Sequence, residues 1–169
     1  GKGSPEKIQI IDQFIGNCNQ SQLSYELVFK EGEPVDVILE AVQEYHIDLL
    51  LLGALKKEKF VKFYLGSIAR KITRKATCSV LLITNPSVVR KPCKHVVVNS
   101  LKEQKEGMFI ETQAIFGKRG YSIGHYAQIV RADLLVMNGP KKYTFLSRFF
   151  PHDLEYILKE LPTDVLIVR

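Results

Sequence analysis

The chain has 169 residues, is 46% apolar and 25% charged, and carries a formal net charge of +6. These values fit a globular protein with enough apolar content to fold by itself, and the longest apolar run, Ile47 to Leu55, falls far short of the ~20 residues that a membrane-spanning helix needs. Cys18, Cys78 and Cys93 are odd in number and lack CxxC spacing, which excludes a disulfide framework and points to a reducing compartment.

Ser4-Pro5 places an N-cap before a proline at the first helical position, and Ile8, Ile11, Phe14 and Ile15 recur at helical spacing, so a helix is predicted over 5–17. Leu23 to Phe29 alternates and reads as a strand. Gly32 and Pro34 mark a turn, and Val35, Ile38, Ala41, Val42 and Tyr45 form the stripe of a second helix. Asp48 to Gly53 is a continuous apolar strand of the kind covered on both faces. Ile68, Ile72 and Ala76 give a third helix and Ser79 to Ile83 a further strand. Asn85 to Lys94, with two prolines, reads as a linker. His95 to Val98 is then a strand, 101–107 a short polar turn and Met108 to Ile115 a strand. So short a connection predicts an antiparallel hairpin. A helix near 121–131, a strand at 133–138, a helix near 148–160 and a strand at 164–168 complete the series.

The later elements repeat the earlier ones. Asp48-Leu49-Leu50-Leu51-Leu52-Gly53 returns as Asp133-Leu134-Leu135-Val136-Met137-Asn138, an offset of 133 − 48 = 85 residues. The same offset carries Gly32 to Gly117, Ile38 to Ile123, Gln43 to Gln128, Phe60 to Phe145, Ile72 to Ile157 and Val80-Leu81 to Val165-Leu166. A constant offset over so long a stretch predicts two copies of one structural unit, residues 1–86 and 87–169. The alternation of strands and helices makes each an α/β unit with parallel strands. Each is short of strands for a sheet of its own, and the final strands, 79–83 and 164–168, are apolar throughout. The expectation is that the copies pack about a local twofold axis that buries both, and that these terminal strands mediate self-association.

The segment after the strand 48–53 is where chemistry is expected. Ligands of open α/β sheets bind beyond the carboxyl ends of the strands. Gly53 ends that strand, and Gly66-Ser67 open a helix thirteen residues later. Glycines there let backbone N–H groups approach phosphate oxygens, and a helix N-terminus favours an anion. Ser67 offers a hydroxyl, Arg70 lies one turn into the helix, and Lys56, Lys57, Lys59 and Lys62 add positive charge. The same residues read equally as a turn glycine, a helix-start glycine, an N-cap serine and a solvated basic loop.

The pattern resembles the universal stress protein family, whose adenine-nucleotide loop reads Gly, two residues, Gly, nine residues, Gly, then Ser or Thr. Here it is Gly53-Ala54-Leu55-Lys56, nine residues, then Gly66-Ser67, with Lys56 at the second glycine. The resemblance covers about residues 22–84 well and 107–169 less closely. It implies an adenine-nucleotide alpha-hydrolase-like α/β fold in two pseudo-symmetric copies, the first lacking its first strand. It also implies a phosphate site at Gly53, Lys56, Gly66 and Ser67 with ATP or another adenine nucleotide as ligand. In the second copy Asn138 replaces Gly53, and Pro151-His152 replace Gly66-Ser67. Proline removes a donor where one is needed, so the second site reads as lost.

Members of the resembling family also occur as soluble tails of membrane transporters, especially cation/proton antiporters and amino-acid permeases. A chain opening Gly1-Lys2-Gly3-Ser4 without Met and lacking a first strand fits a piece of such a polypeptide. The resemblance thus implies a cytoplasmic sensory or regulatory domain, at the inner face of a membrane, acting on an attached transporter. The alternative is an interaction module whose phosphate loop is vestigial. A nucleotide hydrolase would need a carboxylate at the loop, and none is apparent. His46, His95, His125 and His152 show no ligand spacing, so no metal is expected. Without exposed aromatics interleaved among the basic residues, nucleic acid is not an expected partner.

Overall fold

The computed structural model describes residues 5–18, 24, 26–56, 63–84, 92–99, 121–140 and 153–169. In chain order the elements are α1 (Pro5–Cys18), α2 (Pro34–Glu44), β1 (Leu49–Gly53), β2 (Leu55–Lys56), β3 (Phe63–Tyr64), α3 (Ser67–Lys75), β4 (Ser79–Ile83), β5 (Val96–Asn99), α4 (Tyr121–Ile129), β6 (Leu134–Asn138), α5 (Asp153–Ile157) and β7 (Asp164–Val168). Five strands form one sheet in the order β1-β4-β7-β6-β5, and β2 pairs with β3 in a small separate ribbon.

The sheet is parallel except at its centre. β1 runs parallel to β4, and β5, β6 and β7 run parallel to one another, while β4 and β7 are antiparallel. The two apolar terminal strands therefore lie side by side in the middle, each with a second neighbour on its other edge. Each of them is thus flanked by a strand on both sides.

One face of the sheet carries the core. Leu50, Leu52, Val80, Leu82, Val165, Ile167, Leu135 and Met137 share it by register. They form one cluster with Val42 of α2, Ala69 of α3, Ile123 of α4 and Leu154 and Ile157 of α5. The helices form because their apolar residues recur every three or four positions and need that face to bury against. Arg74 of α3 ties the two helical groups together, donating from Nε and Nη2 to the two Glu155 carboxylate oxygens at 2.8 and 2.7 Å.

The opposite face differs from the two-sided burial expected of the run 48–53. Leu49 and Leu51 are 46% and 57% exposed. The reason is position: β1 ends the sheet, and alternate residues of an edge strand face away from the core. The strand expected over 23–29 does not form at the described residues 24 and 26–30. Alternating residues make a strand only where a neighbour accepts its hydrogen bonds, and no described strand adjoins β1 on its outer side. Lys30 instead reaches back to α2, donating from Nζ to Glu44. The expected strand 108–115 and its hairpin lie outside the described residues, as do positions 148–152 of the last expected helix.

Backbone geometry recurs at the offset of the sequence. Leu49 pairs with Ser79 in β1–β4, and Leu134 with Asp164 in β6–β7, each shifted by 85. In the central pair Leu81 lies opposite Leu166, the residue 85 positions later. α2 and α4 close in the same way. His46 and Arg131 adopt φ of 50° and 52°. The amides of His46 and Ile47 donate to the carbonyls of Gln43 and Val42, and those of Arg131 and Ala132 to Gln128 and Ala127. Both are left-handed helix stops of the Schellman type.

Candidate functional site

β1 delivers Gly53 to the carboxyl end of the sheet, where the Ala54 amide donates to the Ile83 carbonyl at 2.8 Å. The chain then enters the ribbon, in which Leu55 pairs with Tyr64 and Lys56 with Phe63. The ribbon is fastened by the Leu161 amide donating to the Phe63 carbonyl at 3.0 Å and by Leu65, which is 1% exposed. Gly66 follows as N-cap of α3 in an extended conformation, φ −60° and ψ 162°, with no side chain capping the helix. Gly53, the backbone of Lys56, Gly66 and Ser67 are thus brought to one end of β1. Lys57, Lys59 and Lys62 lie outside the described residues.

Several features of this end suit an anion. The first amides of α3 have no acceptor within the helix, its first turn holds no acidic residue, and Ser67 is exposed. One turn further on, the Nε of Arg70 is buried and has no hydrogen-bond acceptor among the described residues. A buried donor without an acceptor is costly, and a negatively charged ligand would relieve it.

The glycines are informative because the fold does not require them. Neither has a positive φ. A Cβ on Gly53 would meet nothing within 4 Å, and one on Gly66 would meet only Leu55 Cδ1 at 3.6 Å, an ordinary contact. The second half differs. A Cβ on Gly139 would meet Arg169 Nε and Ile167 Cγ2, both at 2.9 Å. Arg169, the last residue, lays its side chain across that bend and donates to the Thr73 carbonyl. In addition α5 opens on Asp153, a charge that disfavours an anion at a helix N-terminus. Pro151 and His152 lie outside the described residues. Arg169 carried no sequence signal: the parallel pairing of β6 with β7 brings it beside Gly139.

Known proteins match this geometry and this sequence. A family model described as "Universal stress protein family" matches residues 12–84. Residues 12–84 belong to the universal stress protein family. The chain is 26% identical over 76 residues to a universal stress protein A-like protein of Arabidopsis thaliana, covering 45% of this chain and 43% of that one. It is 31% identical over 61 residues to a universal stress protein of Methanothermobacter thermautotrophicus, covering 36% and 41%. The chain thus spans about two fifths of those two relatives. Among solved structures, a universal stress protein from Archaeoglobus fulgidus superposes with a TM-score of 0.75 at 14% identity, covering 98% of this chain and 79% of that one. A protein described as a putative universal stress protein from Pseudomonas aeruginosa gives 0.72 at 13% identity, covering 99% and 80%. The α/β architecture of the described residues is therefore that of the adenine-nucleotide alpha-hydrolase-like fold. No helix among them is long and apolar enough to cross a membrane.

The remaining chemistry of the universal stress protein domain is sparse. Among the described residues no three His, Cys, Asp or Glu side chains group as metal ligands. Asp164, which begins β7 beside the end of β4, accepts from the amide and the hydroxyl of Thr84, each at 2.8 Å.

Proposed function

We propose that this chain is a sensory or regulatory domain of the universal stress type, built from two abbreviated copies of which only the first binds an adenine nucleotide. Gly53 and Gly66 would admit the phosphates, with the α3 amides and Ser67 donating to them and the Lys56 backbone closing the loop. Arg70 would supply charge. The observation that carries this reading is the open space at Gly53 and Gly66, where an added Cβ would meet nothing or only an ordinary contact. Glycines that the fold does not need, at the end of a strand and the start of a helix, suit close approach by a ligand. The proposed role is binding of the nucleotide.

In a longer polypeptide the output would be a membrane transporter at whose cytoplasmic face this domain sits, with ligand shifting a conformational equilibrium through unequal affinity for its two states. A second reading, an interaction module with a vestigial loop, draws on the exposed apolar edge at Leu49 and Leu51.

Titration calorimetry with ATP, AMP and cyclic di-adenosine monophosphate tests the choice. One site per chain is expected for at least one of them, lost in Gly66→Val and weakened in Ser67→Ala. Both variants should fold, because Ser67 is exposed and the space at Gly66 is not filled. Absence of heat with all three ligands would favour the interaction module.

A further inference from the structure

We propose that the chain pairs with a second copy of itself through its helical face, α2 of each copy lying over α3 of the other. The proposal goes beyond the nucleotide reading and does not rest on it. α2 and α3 pack side by side and lead into β1 and β4, which are parallel neighbours, so the two helices run the same way. Their outward faces carry opposite charge. α2 contains Asp36, Glu40 and Glu44 and no basic residue, and α3 contains Arg70, Lys71, Arg74 and Lys75 and no acidic one. Glu44 and Arg74 are bound to Lys30 and Glu155. Asp36, Glu40, Lys71 and Lys75 are exposed, and among the described residues none of the four takes part in an ion pair.

The two stripes match in spacing and in symmetry. Asp36 and Glu40 are four residues apart, as are Lys71 and Lys75, and four residues span about 6 Å along one helix face. A twofold axis parallel to the helices therefore sets Asp36 opposite Lys71 of the partner subunit and Glu40 opposite Lys75 of the partner subunit, and repeats both pairs on the other side. The surface carries both signs in adjacent stripes, which a second copy complements. A nucleic acid or an acidic membrane would be drawn by α3 and repelled by α2. The fold does not impose the pattern. At the offset of 85 the four positions hold Tyr121, His125, Tyr156 and Glu160, on α4, on α5 and just past it, although those helices cover the same sheet face. Exposed ion pairs are individually weak and are screened by salt, so the pairing is reversible and salt-sensitive.

Sedimentation equilibrium of the full chain and of two double variants tests this at about 20 mM and about 500 mM salt, where screening differs most. The wild-type chain is expected to dimerise at low salt, with an affinity that falls by about tenfold or more at high salt. Lys71→Glu with Lys75→Glu leaves both stripes acidic, and Asp36→Lys with Glu40→Lys leaves both basic. Each double variant alone should lose about tenfold or more in affinity at low salt. Each should keep the wild-type circular dichroism, because all four side chains are exposed. Mixed in equal amounts, the two variants should recover the wild-type affinity, since every acidic stripe then meets a basic one. A wild-type chain that is monomeric at low salt, a dimer indifferent to both variants, or a mixture no tighter than either variant alone would overturn the proposal. So would a monomer that co-sediments with phosphatidylglycerol vesicles, which would assign the lysines to an acidic lipid surface. No nucleotide enters these readouts, so their failure leaves the nucleotide reading as it stands.

Discussion

Leu82→Ala is expected to lower the stability of the whole chain by about 3 kcal/mol. Leu82 is fully buried and sits in β4 between Leu52 of β1 and Val165 of β7. Removing three carbons there leaves a cavity at the junction of both halves, where strands on either side hold the backbone and prevent collapse into the space. The core is one contiguous cluster with members from both halves, so the loss should be shared by all of it. Urea unfolding followed by circular dichroism and by tyrosine fluorescence checks this. The two probes should give one coincident transition, shifted to lower urea in the variant. Separate transitions, with only the first half shifted, would mean that the halves fold independently.

The second large effect comes from the same substitution made at two glycines. Gly139→Ala is expected to cost about 1–3 kcal/mol by overpacking, and Gly53→Ala about 0.5 kcal/mol or less. The new methyl at 139 would lie 2.9 Å from Ile167 Cγ2 and 3.2 Å from Arg169 Cγ. Arg169 can swing aside at the loss of its bond to the Thr73 carbonyl, but Ile167 is a buried core residue and cannot. At Gly53 the methyl enters open space. Melting temperatures of the two variants are the readout. A Gly53 variant as destabilised as the Gly139 variant would mean that the first bend is a structural turn.

Much of the fold was legible because its signals are local. The β-branched and leucine runs at 79–83 and 164–168 marked strands, and the stripe from Val35 to Tyr45 marked α2. The offset of 85 was legible in the residues, and it recurs in strand register and in the helix stops at His46 and Arg131. What failed depended on distant partners. Leu23 to Phe29 has the alternation of a strand, but alternation does not state whether a neighbour exists. Asp48 to Gly53 reads as doubly covered, yet the edge position of β1 is set by sheet order. At the candidate site the motif Gly53 to Ser67 marked the loop, and the β2–β3 ribbon within it was too short to leave a pattern. The filling of the second bend by Arg169 and the clamping of β5 by Asp133 are tertiary contacts between residues whose types alone are ordinary.

The most direct measurement is amide hydrogen exchange of the full chain with and without ATP, read at the first turns of α3 and α5. The account predicts slower exchange at Ser67 to Arg70 on adding ATP and unchanged exchange at Asp153 to Tyr156. Equal effects at both helices, or none at Ser67 to Arg70 under saturating ATP, would contradict it.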